Sequence, residues 1–251
     1  TLDLVLKDRF GLLIDILKLP YTNVTTDLEK LNISYNNINH LWALGKIVAY
    51  KIQNKPFIHV DGDVYIWKEF SSDLVSGDLL CQQLEPENKF HKENIKYTLE
   101  NFNYIPNDII NYYNRTNNAA QFNAGIIGGN DIHFFKEYTS EAISFINNNA
   151  QVLKKIKSGY IFSTIFEQYL FTSMANNREK IVKTFFPNVS EVNETFSQLS
   201  NFHNIPKSNF IHLLSFFKEY FNYGEFVSQR LWLEYPEYYE RILSLVNSKT
   251  I

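Results

Sequence analysis

Residues Pro56–Phe70 read PFIHVDGDVYIWKEF, and the rest of the chain is organised around them. Phe57, Ile58, His59 and Val60 have strand character, run into Asp61-Gly62-Asp63, and are followed by Val64-Tyr65-Ile66-Trp67. A carboxylate is costly to bury without a partner, so a strand ending in two of them puts them at a sheet edge that faces a cavity. Two hard oxygen ligands suit Mg²⁺ or Mn²⁺, and a cation that keeps open positions suits a diphosphate. Gly62 lets the backbone turn and come close to a ligand. The same letters also spell a strand followed by an ordinary Asp-Gly turn.

Upstream, Lys55-Pro56 ends a helix expected over Asn39–Gln53, whose Leu41, Leu44, Ile47, Val48 and Ile52 keep helical spacing. Strands are expected at Leu2–Leu6 and Asn23–Leu28, with a helix at Phe10–Leu19 stopped by Pro20. This alternation predicts an α/β protein with a mainly parallel sheet covered by helices, and ligands at the carboxyl ends of its strands. Downstream, Leu79, Leu80 and Leu84 mark another strand, with helices at Ile95–Asn101 and Asp108–Asn114. Gln121–Asn130 (QFNAGIIGGN) is a short apolar segment whose glycines permit close approach, and Asn130-Asp131 caps a helix that runs to Asn148. Ser163–Met174 reads as an amphipathic helix, Asn209–Leu214 as a strand, and Phe226–Val246 as one or two closing helices around Pro236. No repeat and no long linker interrupts this order, which predicts a single domain.

The 251 residues carry a net charge near −3, which argues against a protein built to hold nucleic acid. Cys81 is the only cysteine, so no internal disulfide forms, as suits a reducing, cytoplasmic setting. No apolar run is long enough for a transmembrane segment. Tyr235, Tyr238 and Tyr239 would serve a peripheral membrane contact, an interface or ordinary helix packing equally well.

In order and spacing, DGD at 61–63, FNAGIIGG at 122–129, EQYL at 167–170 and IHLLSFFK at 211–218 resemble a GT-A-type glycosyltransferase close to the retaining family 8. The resemblance implies a GT-A, Rossmann-like fold. It implies that Asp61 and Asp63 hold Mn²⁺ or Mg²⁺, with His212 as the third ligand and Lys218 as a point charge on the diphosphate. Ser215 stands where the family's HxxGxxK segment has glycine. Asn123 would face the sugar or acceptor. Glu167 and Gln168 occupy the place of a helix-borne Asp-Gln-Asp-like triplet beside the reacting sugar carbon, and Tyr169 departs from that pattern. Asp8, at a strand end, would help hold the base or ribose. The implied activity is metal-dependent transfer of a sugar, with retention, from a nucleotide-diphosphate donor (a UDP-sugar first) to a glycan, lipid-linked or other acceptor. The resemblance also implies a strand–helix unit before Thr1.

Read without the resemblance, FNAGIIGG is a core strand with a glycine turn. Glu167 and Gln168 are then polar residues on the outer side of a helix, and His212 is a satisfied buried histidine. Period-two alternation puts His59 on the same face as Asp61, either behind a metal ligand or as core filler. Aspartate-nucleophile phosphatases also place Asp-x-Asp after an apolar strand, but carry Thr or Val where this chain has Tyr65. A non-catalytic GT-A-like protein that binds a sugar nucleotide or a protein partner is the remaining alternative.

Overall fold

A computed structural model of the chain describes residues 3–5, 11–28, 41–156, 160–187, 199–200, 209–214, 218 and 221–249. Two compact units form, one from residues 1–34 with 213–251 and the other from 35–212. In the smaller unit, β1 (Asp3–Val5) and β2 (Asn23–Thr25) pair in parallel, and α1 (Gly11–Leu17) lies between them in sequence. Helices Phe221–Glu234 and Pro236–Asn247 close the unit, the second with its proline in the first turn, where no N–H is needed. That helix holds the end of α1 through Arg241 Nη1 on the Leu17 carbonyl at 2.9 Å and the Tyr238 hydroxyl on the Lys18 carbonyl at 3.2 Å.

The larger unit is built on a mixed four-stranded sheet with helices packed against it. Its strands are β3 (Phe57–Val60), β5 (Leu79–Glu85), β6 (Gln121–Gly129) and β7 (Val182–Thr184), in the order β3-β6-β5-β7. A separate two-stranded ribbon pairs β4 (Val64–Ile66) with β8 (Phe210–His212), antiparallel, and sets Val64 opposite His212. Four longer helices complete the unit: α2 (Leu44–Lys51), α3 (Lys89–Asn101), α4 (Asn107–Thr116) and α5 (Ile132–Asn148). The sixth helix, α6, has α-helical arms Tyr160–Thr164 and Leu170–Asn177 around a π-turn at Ile165–Tyr169.

The expected mainly parallel sheet is corrected by this arrangement. β6 runs antiparallel to both β3 and β5, and only β5 and β7 are parallel. β6 is buried along nearly its whole length, and a strand covered on both faces shows the same apolar run whichever way it points. β1 and β2 are parallel, as the strand–helix–strand rhythm requires, but they pair with each other in a sheet of their own.

Much of the aromatic content is core. Phe57 packs edge-on against Phe135 at 4.8 Å, Phe134 and Tyr138 meet Phe171 at 5.4 and 5.5 Å, and Phe145 meets Phe162 at 5.0 Å. Each such ring stabilises the fold by about 1.5–3 kcal/mol through burial alone. Asn88 and Asp131 cap α3 and α5 by accepting the backbone N–H of His91 and Phe134. α6 is not the expected amphipathic helix, because every residue from Phe162 to Ala175 is buried. No helix among the described residues is long and apolar enough to cross a membrane.

Gly128 decides whether β6 can lie beside β3. A Cβ there would meet the Phe57 carbonyl and come within 2.8 Å of Ile58 Cα, both backbone atoms that cannot swing aside. At Gly62 a Cβ would meet nothing within 4 Å. Gly128→Ala is therefore expected to destabilise the fold by about 2 kcal/mol or more, and Gly62→Ala to change stability by no more than about 0.5 kcal/mol. Urea unfolding of the two variants checks this, and equal midpoints would refute it.

Candidate metal centre

The backbone assembles the centre from sequence-distant pieces. β3 ends at Val60, the Asp61 N–H donates to the Gly125 carbonyl at 2.9 Å, and the Val64 N–H closes a turn on the Asp61 carbonyl at 3.0 Å. That turn delivers Asp61 and Asp63 next to β4, whose pairing with β8 brings in His212. One ligand atom from each of Asp61, Asp63 and His212 lies within 4.8 Å of the others. Gly62 is not needed for the turn, since no left-handed angle and no crowding mark it.

His212 is oriented as a metal ligand would be. Its Nδ1 lies 2.6 Å from Gln82 Oε1, and the Gln82 amide nitrogen in turn donates to Gln83 Oε1 at 3.1 Å. The amide oxygen of Gln82 must therefore accept, so Nδ1 carries the proton and the lone pair of the neutral ring sits on Nε2. That lone pair is 3.4 Å from Asp63 Oδ1. Two acceptors facing each other call for a proton or a cation between them. Gly125 makes room for the ring, because a Cβ there would fall 2.5 Å from both His212 Nδ1 and Gln82 Oε1. The two carboxylates suit Mn²⁺ or Mg²⁺, the imidazole favours the transition metal of the two, and three protein ligands leave coordination positions open.

Behind this set lies a buried charge network that the sequence reading missed. Lys46 on α2 places its ammonium 3.0 Å from Asp61 Oδ2 and 2.8 Å from Glu167 Oε1. His59 Nε2 bonds Asp61 Oδ1 at 3.1 Å, so His59 stands behind a candidate ligand rather than filling core. Glu167 is fully buried on the π-turn. The Tyr50 hydroxyl donates to its Oε1 at 3.0 Å, and the Tyr138 hydroxyl to its main-chain carbonyl at 2.7 Å. Burial pushes the Glu167 carboxyl up to about 7, against the pull of Lys46 and with a further push from Asp61. Burial opposes the Lys46 ammonium, yet Glu167 and Asp61 together raise it and keep it charged. Burial would also raise Asp61, but the His59 hydrogen bond and the Lys46 charge outweigh it and hold this carboxyl low.

The other expected site residues are placed unevenly. Asn123 accepts the Gly125 N–H at 2.8 Å and donates to Glu85 Oε1 at 2.7 Å. Glu85 is raised by burial, with the Asn123 hydrogen bond pulling back. Gln168 is buried and turned to Gln121, whose amide donates to its Oε1 at 3.0 Å and also meets His91. Glu167 and Gln168 therefore do not lie on an outer helix face. Lys218 is exposed and belongs to the smaller unit. Asp8 lies outside the described residues. Lys46 carries one signal in the sequence: it sits one turn from Trp42 and one from Tyr50, within the helix rather than at its end like Lys51. Gln82, Gln83 and Glu85 interrupt an apolar strand.

Glu167 gives a pH prediction. The folded chain holds its proton up to about 7, while the unfolded chain releases it near the ordinary 4.5. The stability from this group is thus fully present below about pH 4.5 and lost as pH rises through about 7, a span on the order of 3 kcal/mol. Between pH 5 and 8, wild type should lose stability relative to Glu167→Gln. A difference in unfolding free energy that stays flat or rises over this range would contradict the assignment.

No curated protein and no solved structure shows a significant match to the chain. The family of unknown function DUF6734 matches residues 5–245, and the chain belongs to that family.

Proposed function

We propose that the chain is a metal-dependent glycosyltransferase that moves a sugar, with retention, from a nucleotide-diphosphate donor to a glycan or other acceptor, a UDP-sugar being the first donor to test. One observation carries this reading: Asp61 and Asp63 from one turn and His212 from a strand much later in the chain bring ligand atoms within 4.8 Å of one another. The orientation of His212 by Gln82 and the room left by Gly125 support it. Asp61, Asp63 and His212 would hold the metal, and a cation there would supply charge neutralisation for the diphosphate of a departing nucleotide. The chain's own groups position the reactants. Asn123, held by the Gly125 N–H and by Glu85, would take the role beside the sugar or acceptor that the resemblance gives it. Glu167 orients Lys46 from beneath and touches no solvent. The same full burial of Glu167 favours a second reading, a GT-A-like protein that binds the donor without turnover.

A thermal-shift panel tests both readings, using UDP, GDP and their sugars with and without Mn²⁺ on wild type and Asp63→Ala. A ligand at 100 times its Kd stabilises by about 2.7 kcal/mol, which raises Tm by roughly 5–10 °C at this chain length. The expected result is stabilisation by one nucleotide class that needs Mn²⁺ and disappears in Asp63→Ala. No shift with any nucleotide would sink the donor site. Binding without release of UDP from the bound sugar nucleotide, with or without an acceptor, would leave the non-catalytic reading.

A further inference from the structure

Asp61, the first of the candidate ligands, already carries a cation. Its Oδ2 is held by the Lys46 ammonium at 3.0 Å and its Oδ1 by His59 Nε2 at 3.1 Å. We propose that Lys46 is a resident cation that competes with the divalent metal for Asp61, and that Glu167 is the carboxylate that retains it when the metal binds. This rests on the metal-site reading above.

Each Asp61 oxygen has a second lone pair, so the contest is not for a single orbital. It is electrostatic. A divalent ion on Asp61 would share one carboxylate with an ammonium in surroundings where water screens little, and like charges at that range repel strongly. Lys46 has somewhere to go. Glu167 Oε1 is already the nearer partner at 2.8 Å. The second oxygen, Oε2, is buried with no hydrogen-bond partner. An ammonium that leaves Asp61 can engage that oxygen, so its charge stays compensated while Asp61 is released. The anchor is fixed in advance, because the hydroxyls of Tyr50 and Tyr138 hold Glu167 at its carboxylate and at its main chain. The ammonium also donates to the Ala124 carbonyl at 3.4 Å, and the Trp42 ring lies 5.2 Å from it. Glu167 is thus a positioning residue that acts through Lys46.

The arrangement predicts opposite effects from the two partners. Lys46→Met removes the competitor and should tighten Mn²⁺ binding by about tenfold or more. Glu167→Gln leaves Lys46 with Asp61 as its only charged partner and should weaken Mn²⁺ binding by about tenfold. If Lys46 only held the fold together, its loss would weaken binding instead. The measurement is a calorimetric titration of the full chain with Mn²⁺ alone, on wild type, both variants and Asp63→Ala, with circular dichroism to verify folding. Tighter binding in Lys46→Met and weaker binding in Glu167→Gln supports the proposal. Unchanged or weaker binding in folded Lys46→Met overturns it while leaving the metal site intact. Should Lys46→Met fail to fold, the Glu167→Gln arm decides, and binding as tight as wild type overturns the proposal. Absence of Mn²⁺ binding in every chain brings down this proposal and the metal-site reading together. Binding that survives Asp63→Ala removes the site reading and this proposal with it.

Discussion

A buried ammonium shared between two carboxylates governs the larger unit. Lys46, Asp61 and Glu167 arrive from a helix, the end of a strand and a π-turn, and none of the three is tolerable there alone. Removing one partner from such a set leaves an uncompensated charge, an effect of about 3–5 kcal/mol. Helix α2, strand β3 and helix α6 must therefore come together in one register, and two tyrosine hydroxyls hold that register. The π-turn fits this requirement. It packs against the sheet with all five of its residues buried, and its widened turn presents the Glu167 carbonyl to Tyr138 and the carboxylate to Tyr50 and Lys46.

The antiparallel course of β6 has a chemical consequence beside this network. Gln121, Asn123 and Gly125 follow one another along it, across from the Gln82–Glu85 stretch of β5, where the register shifts between Cys81 and Gln83. The two strands together form a buried layer of amides and one carboxyl. It extends from the Gln82–His212 pair through Asn123 and Glu85 to the contacts among Gln121, His91 and Gln168. The formal charges concentrate at the Asp61 end, while neutral hydrogen-bonding groups fill most of the rest.

The sequence made the centre legible where chemistry is local. Asp61 and Asp63 announce themselves because two carboxylates at the end of an apolar strand have few uses. His59 could be placed on the face of Asp61 by alternation alone, although its role there could not. The direction of β6 was hidden, since burial on both faces erases the pattern that distinguishes parallel from antiparallel strands. Lys46 was hidden for a different reason. Lysines on helices are usually solvated, and only the partner more than a hundred residues away makes this one a buried ion. The helical period also said nothing of the π-turn, so without the resemblance Glu167 read as an outward residue, whereas it is fully buried on that turn.

Gly125 carries an implication of a different kind. The missing side chain at 125 is a steric condition on the residue at 212, because a single methyl group would occupy the space of the imidazole. The two positions are thus linked as a hereditary pair. A family member with alanine or serine at the place of Gly125 has to move or shrink the side chains that correspond to His212 and Gln82. The imidazole would then leave the position it holds beside Asp63, so one small residue in β6 governs whether the cluster of two carboxylates and one imidazole can form.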